Sequence, residues 1–434
     1  MAGTLMVAPD LAAGIVHRVQ SRLAARGHEL PLRLWNGDEF GPADAGFRIV
    51  LAEPWSLRAV ASMHNDLRAG EAFVAGAVDV EGSMVAALRA VAGLREYLGV
   101  REKLELATAA LRLPRPPQGI DEGRRRLRGR AHSRERDAEA VRHHYDVGND
   151  FYRLVLDDDL VYSCAYFGEH EAAAPIPDRD ALARAQRRKL ELICRKLDLR
   201  PGERFLDVGC GWGSLVIHAA RHHGVHATGI TLSRRQAELA RDRVAAAGLS
   251  DRVRIEVRDY RDVTERFDAV ASVGMVEHVG AGMLATYVRT LHDRLTPAGR
   301  LLNHGITTGH RNVVRDFARQ PDTFVGRYVF PDGALVPAHH MVRELERGGF
   351  EVHDLEQLRP HYALTLQHWV ANLEATYDRA RASVGEATAR VWRAYLAGSV
   401  LGFESGDLGV VQILASRRGA RLPLDRSRML TVGA

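Results

Sequence analysis

Three alternating glycines in Leu206-Asp-Val-Gly-Cys-Gly-Trp-Gly213 are the first place where residue type and spacing suggest chemistry. An apolar run, Arg204-Phe-Leu-Asp-Val208, leads in, and Ser214-Leu-Val-Ile-His-Ala-Ala-Arg221 leads out with helical character. A strand, a glycine turn and a helix in that order let backbone N–H groups approach a ligand closely. The positive end of the helix then faces a carboxylate or phosphate. Alone the pattern is weak, because structural turns use it too. Val225-His-Ala-Thr-Gly-Ile-Thr-Leu232 narrows it, reading as a second strand that ends at Thr231, where a dinucleotide site would place an acidic ribose ligand. No second glycine fingerprint of the dinucleotide type occurs. The combination fits S-adenosylmethionine better than NAD.

Four further stretches fall at predicted strand ends or loops, where function concentrates. They are Tyr162-Ser-Cys-Ala-Tyr-Phe167, Gly274-Met-Val-Glu-His-Val-Gly280, Asn303-His-Gly-Ile306 and His361-Tyr-Ala-Leu-Thr-Leu366. The elements that must position them alternate from Val141 onward. Ser233 caps a predicted helix, 252–257 and 267–273 read as strands, 283–295 as a helix and 299–306 as a strand. Strands at 350–355 and 408–415 close the sheet, and 309–345 and 361–405 are helix-rich insertions able to cover a substrate. Strand–helix alternation of this kind predicts an α/β fold, a mostly parallel sheet with helices on both faces and ligands at the strand C-termini.

The first 115 residues read as a small α+β accessory domain. Ile15, Val19 and Leu23 share one helical stripe, Asn36-Gly37 marks a hairpin, and 47–51 is a strand. Residues 116–140 form an Arg-rich linker, holding Arg124, Arg125, Arg126, Arg128, Arg130, Arg134 and Arg136. It reads either as a solvated face or as a contact for an anionic surface. Residues 141–434 form the catalytic domain.

With 434 residues, 46% hydrophobic and 26% charged, the chain has an ordinary globular composition. A net charge of +5 is modest for a nucleic-acid binder of this size and also suits phospholipid headgroups. Cys164, Cys194 and Cys210 share no metal-type spacing, and an odd count argues against a disulfide framework, so a reducing cytoplasm is expected. Neither His222-His223 nor His339-His340 has the i, i+4 spacing of a helical metal site; both pairs read as surface, and no metal is expected. No signal peptide is read, and no apolar run reaches the roughly 20 residues that span a bilayer. Membrane association, if any, is peripheral.

The chain resembles the cyclopropane-fatty-acyl-phospholipid synthases, relatives of the mycolic acid methyltransferases. The resemblance rests on His144-Tyr-Asp-Val-Gly-Asn-Asp-Phe-Tyr152, on Tyr162-Ser-Cys-Ala-Tyr-Phe167, the glycine turn, Val276-Glu-His-Val-Gly280 and His361-Tyr-Ala-Leu-Thr-Leu366, on Gly229-Ile-Thr-Leu-Ser233 with Gln236, and on Tyr328-Val-Phe-Pro-Asp-Gly333. It covers roughly residues 140–417. It implies a Rossmann-like class I S-adenosylmethionine-dependent methyltransferase that adds a methyl to a cis double bond of an acyl chain in membrane phospholipid. Bicarbonate would be the base, held by Glu277, His304 and Tyr362 and by backbone groups of Cys164 and Ile306. Cofactor contacts carried over are Tyr162 and Ser163 at the methionine end, Gly209 and Gly211 by backbone approach, and Thr231 and Gln236 near the ribose. Asp259 and Tyr260 would stand near the adenine, and the rings of Tyr162 and Phe167 could face the sulfonium.

Bland alternatives stand beside these roles. Glu277 taken alone could cap a helix, and Cys194 and Cys210 read as packing. Glu404 stands where many relatives carry Arg after the Phe, which is expected to put a carboxylate near the acyl cavity. Loss of a different proton would then give a methylene branch and call for a flavin-dependent reductase as partner. A homodimer could present acyl-chain contacts twice on one inner leaflet. A non-catalytic anion-surface binder is the alternative from another class. A nucleic-acid methyltransferase would want an Asn/Asp-Pro-Pro-Tyr motif, which is absent, so no nucleic acid is expected.

Overall fold

The computed structural model describes residues 7–61, 66–115, 147–309 and 323–420, together with 117, 133, 134, 136, 137, 139, 422, 423 and 425–427. Most of the Arg-rich linker and the His144-Tyr-Asp start of the first family motif lie outside these residues. Two compact units divide the chain. One holds Met1–Arg125, Asp322–Val329 and Glu374–Leu401; the other holds Arg126–Pro321, Phe330–Leu373 and Gly402–Ala434.

In the first unit the helix Val7–Ala24 buries the Ile15, Val19 and Leu23 stripe. Strands β1 (Leu32–Arg33) and β2 (Glu39–Phe40) form the hairpin, whose turn needs Gly37 at φ +90°. Strand β3 (Phe47–Leu51) pairs antiparallel with β4 (Val78–Gly82). Residues 374–401 join this unit for a polar reason. Arg390 pairs with Asp79 at 2.9 Å, and Arg393 donates to the carbonyls of Val80 at 3.0 Å and Gly82 at 2.6 Å.

The second unit is built on a sheet whose central strand, β5 (Arg204–Val208), lies parallel between β6 (His226–Thr231) and β8 (Phe267–Val273). Strand β7 (Val253–Val257) extends it beyond β6, and β9 (Leu295–Thr308) beyond β8. Strands β12 (Leu408–Arg417) and β11 (Phe350–Gln357) close that side antiparallel, after the short β10 (Val336–Pro337) has paired with β9. The order is β7-β6-β5-β8-β9-β12-β11, with β5 to β9 parallel as the strand–helix alternation predicts. The chain leaves β5 for β6 and β7 on one side and returns to β8 on the other, so a crevice opens at the C-terminal end of β5.

Two apolar layers flank the sheet. One packs Ile193, Cys194, Leu215, Val216 and Ala240 against one face; the other packs Tyr287, Val288, Leu291 and Leu345 against the opposite face. The helix predicted over 283–295 ends earlier, at Leu284–Asp293, because Leu295 pairs with Phe267 and already belongs to β9.

Candidate active site

The crevice forms because β5 ends at Val208 and the chain turns through Gly209 (φ +82°), Gly211 (φ +54°) and Gly213 (φ +82°). These are left-handed conformations that a Cβ would strain. Gly213 then starts the helix Ser214–His223. The cleft is lined by Tyr162, Ser163, Gly209, Gly211, Thr231 and Gln236, and by Asp259 and Tyr260 beyond β7. All eight sequence-derived cofactor positions therefore border one space.

Their side chains are set by partners. Thr231 Oγ1 donates to Gln236 Oε1 at 2.8 Å and accepts the Ser233 N–H at 3.1 Å. Asp259 is held by Arg261 at 2.6 Å, and Arg261 also reaches Asp137 at 3.0 Å. Burial raises the Asp259 carboxyl, but hydrogen bonds from Arg261 outweigh this and hold it below its ordinary value. Tyr260 packs edge-on to Tyr287 with ring centroids 5.5 Å apart.

Lys189, which the sequence reading passed over, also lines the cleft and is fully buried. It donates to Ser163 Oγ at 2.9 Å. Burial draws its ammonium down to about 8, while Asp157 and Asp207 favour its charge. Asp207, at the end of β5, is pushed up to about 7 by burial against the pull of Lys189. The legible signal was a charged residue on the buried face of the helix Arg179–Lys196, in register with Leu182, Gln186 and Ile193.

An aromatic run leaves this cleft. Trp212 packs on Tyr152 at 4.8 Å, Tyr152 on Tyr162 at 5.4 Å, and Tyr162 on Trp369 at 5.1 Å. Trp369 meets Tyr362 at 6.0 Å, and Tyr362 meets Phe403 at 4.6 Å. The segment carrying Cys164 is stitched to the helix carrying Tyr362. Ala165 N–H donates to Thr365 Oγ1 at 3.0 Å, Phe167 N–H to His361 Nδ1 at 3.0 Å, and Cys164 Sγ lies 3.8 Å from the Leu358 carbonyl. Burial pushes the Cys164 thiol up, so it stays protonated. Phe167 stacks with His368 at 5.6 Å and is not among the residues lining the cleft.

Glu277 is on the helix Val276–Val279 that follows β8, and His304 is on β9 in register with Val273. Both stand near the C-terminal end of β8, and neither is among the residues lining the cleft. Glu277 Oε1 accepts the Ile306 N–H at 2.6 Å, so that N–H is engaged within the protein, while Oε2 is buried without a hydrogen-bond partner among the described residues. Burial pushes this carboxyl up to about 7. His304 Nδ1 lies 3.1 Å from Gln412 Nε2, and Gln412 Oε1 accepts from Lys196 at 2.9 Å. That lysine fixes the amide so that its N–H donates to Nδ1, which leaves the His304 proton on Nε2. Burial, with Lys189 and Lys196 nearby, draws the imidazole down to about 3, so it is neutral. Nε2 too is buried without a partner among the described residues. A neutral imidazole N–H and a readily protonated carboxyl are two buried groups able to donate to a small oxyanion.

Two expectations are corrected. Glu404 is exposed and its carboxylate accepts from Gln367 at 2.7 Å, because the Phe403 ring and not the next side chain turns inward. His223 and His340 are half-buried and not surface, since each packs toward a carboxylate, Glu191 at 3.0 Å and Glu344 at 3.7 Å.

Residues 132–413 match the family described as mycolic acid cyclopropane synthetase. The chain belongs to this family. It is 42% identical over 398 residues to a probable fatty acid methyltransferase of Pseudomonas putida, covering 90% of this chain and 93% of that one. It is 38% identical over 291 residues to the tuberculostearic acid methyltransferase UfaA1 of Mycobacterium tuberculosis, covering 66% of this chain and 67% of the relative. Among solved structures, the mycolic acid cyclopropane synthase CmaA1 complexed with SAH and CTAB is 33% identical, with a TM-score of 0.59. It covers 64% of this chain and 98% of CmaA1. This member of the mycolic acid cyclopropane synthetase family is therefore a methyltransferase with the S-adenosylmethionine-dependent class I fold.

Proposed function

We propose that this methyltransferase alkylates the cis double bond of an unsaturated acyl chain in membrane phospholipid and yields a cyclopropane ring. The observation that carries the reading is two unpartnered buried atoms, Glu277 Oε2 on the helix after β8 and His304 Nε2 on β9, beside a cleft that opens onto an aromatic run. When bound, S-adenosylmethionine would supply an electrophilic methyl and bicarbonate a base. Gly209 and Gly211 let the backbone approach the cofactor, and Thr231, Gln236 and Asp259 fix its sugar and base. An alkene is a weak nucleophile, so the walls must align it with the methyl. Methyl addition leaves a carbocation on the chain, which water would trap. Tyr162, Trp369, Tyr362 and Phe403 keep water out and turn ring faces to positive charge. His304 Nε2–H, the protonated Glu277 and Tyr362, with backbone groups of Cys164, would hold the anion.

A second reading, methylene transfer towards a methyl-branched chain, is favoured by the 38% identity to the tuberculostearic acid methyltransferase. It would engage a flavin-dependent reductase. Both readings put the enzyme at the inner leaflet as a peripheral protein; no helix among the described residues is long and apolar enough to cross a membrane. The test is incubation of pure protein with labelled cofactor, bicarbonate and vesicles of monounsaturated phospholipid, followed by NMR of the lipid. Cyclopropyl protons support the first reading and an exocyclic methylene the second. Unchanged lipid with cofactor bound would overturn both.

A further inference from the structure

Behind the cofactor cleft, the helices Arg179–Lys196 and Ser214–His223 bring a thiol, two imidazoles and a carboxylate together. The Cys194 sulfur and one ring nitrogen from each of His218 and His223 all lie within 4.8 Å of one another. Glu191 Oε2 lies 3.0 Å from Nε2 of both histidines. Its other oxygen accepts from Arg195 at 2.6 Å.

We propose that Cys194, His218 and His223, with Glu191 as a fourth ligand, bind one structural divalent cation of the zinc class. Sulfur and imidazole ligands select a borderline-soft ion, and four of them from two helices suit tetrahedral coordination. Glu191 and Cys194 are three residues apart on one helix and so share a face. His218 and His223 are five apart, a spacing that sequence inspection discounts. It works here because His223 is the last helical residue, and Gly224 at φ +67° ends the helix directly after it. The sulfur is fully buried, while His218 and His223 keep side-chain exposures of 14% and 16%, which leaves an entry path.

Binding involves no redox change. The Cys194 thiol releases its proton to solvent as the metal–sulfur bond forms, and thiolate and carboxylate together balance the two positive charges. The site ties the helix bearing Lys189 to the helix that opens at the glycine turn. A bound ion would therefore brace the cofactor cleft from behind without touching cofactor or substrate.

The test uses the full-length chain, stripped with chelator and titrated with cobalt(II) alone, then with zinc(II) in competition. One equivalent of cobalt with sulfur-to-metal charge-transfer absorption, displaced by zinc, is expected. Cys194→Ser should abolish that absorption, and His223→Gln, at a half-buried position at the end of its helix, should weaken uptake at least 10-fold. No stoichiometric uptake would overturn the proposal. So would absorption that survives in Cys194→Ser, which would belong to Cys164 or Cys210, or unchanged affinity in a folded His223→Gln.

Discussion

Glu277 carries two opposing demands. An ionised carboxylate beside a bound oxyanion is repulsive, whereas a carboxylic acid donates to it. Burial pushes its pKa up to about 7, above the ordinary carboxylate range, so the donor form dominates below that value and is lost as pH rises through it. At fixed bicarbonate, the affinity for that anion should therefore fall as pH rises across about 7. Glu277→Gln keeps a donor where Oε2 lies and keeps an acceptor for Ile306 N–H, so its bicarbonate dependence should be flat across the same range. Turnover against bicarbonate concentration at several pH values measures this; a profile unchanged by the substitution would remove Glu277 from the anion site. Gln236 offers a second test at this scale. Its amide is anchored by Thr231 and borders the cleft, so Gln236→Ala should weaken cofactor-analogue binding by about 1 kcal/mol, read by calorimetry, as expected for one lost hydrogen bond.

At the scale of elements, Gly305 decides where Glu277 stands. A Cβ there would lie 2.3 Å from Val276 Cγ1, so the glycine is what lets the helix Val276–Val279 seat against β9 and bring the Glu277 carboxyl to Ile306 N–H. Gly305→Ala should cost about 1–3 kcal/mol of stability by overpacking and lower turnover far more than cofactor binding. Parallel activity and analogue-binding measurements separate the two. The strands around this point were legible in the sequence because each is a short apolar run bounded by turn residues, and 267–273 is found where it was expected. The cofactor positions were legible because they sit in a local strand–turn–helix signal. What escaped reading depends on long-range pairing. Lys196 reaches Gln412, which sets the His304 tautomer, and Lys189 reaches Ser163 across two elements. No local spacing encodes such contacts. The same holds for Glu404, whose exposed position follows from which face of its helix packs inward, and for His218 with His223, brought to Cys194 only by helix packing.

At the scale of the whole molecule, charge is handled in two ways. One buried charge of the second unit is paired: Lys196 is fully buried between Glu356 and Asp354. Removing it leaves Glu356 without its ammonium partner while Asp354 keeps Arg426, so Lys196→Met should cost about 3 kcal/mol by urea denaturation. The chain's formal net charge is +5, and its sequence holds one run of seven arginines between Arg124 and Arg136. Within it, Arg134 pairs with Asp262 at 2.8 Å and Arg136 with Asp332 at 2.6 Å, so these two serve the fold. Arg124, Arg125, Arg126, Arg128 and Arg130 lie outside the described residues, and we propose that they are the ones that contact an anionic leaflet. Replacing all five with Gln brings the net charge to zero and should weaken binding to anionic vesicles by about 1 kcal/mol per residue at low salt. Vesicle sedimentation across a salt series measures it. The difference between parent and variant should shrink as added salt shortens the screening length, because only the electrostatic contribution has been removed. Equal binding at low salt would assign the block to solvent and leave acyl-chain capture to the apolar walls alone.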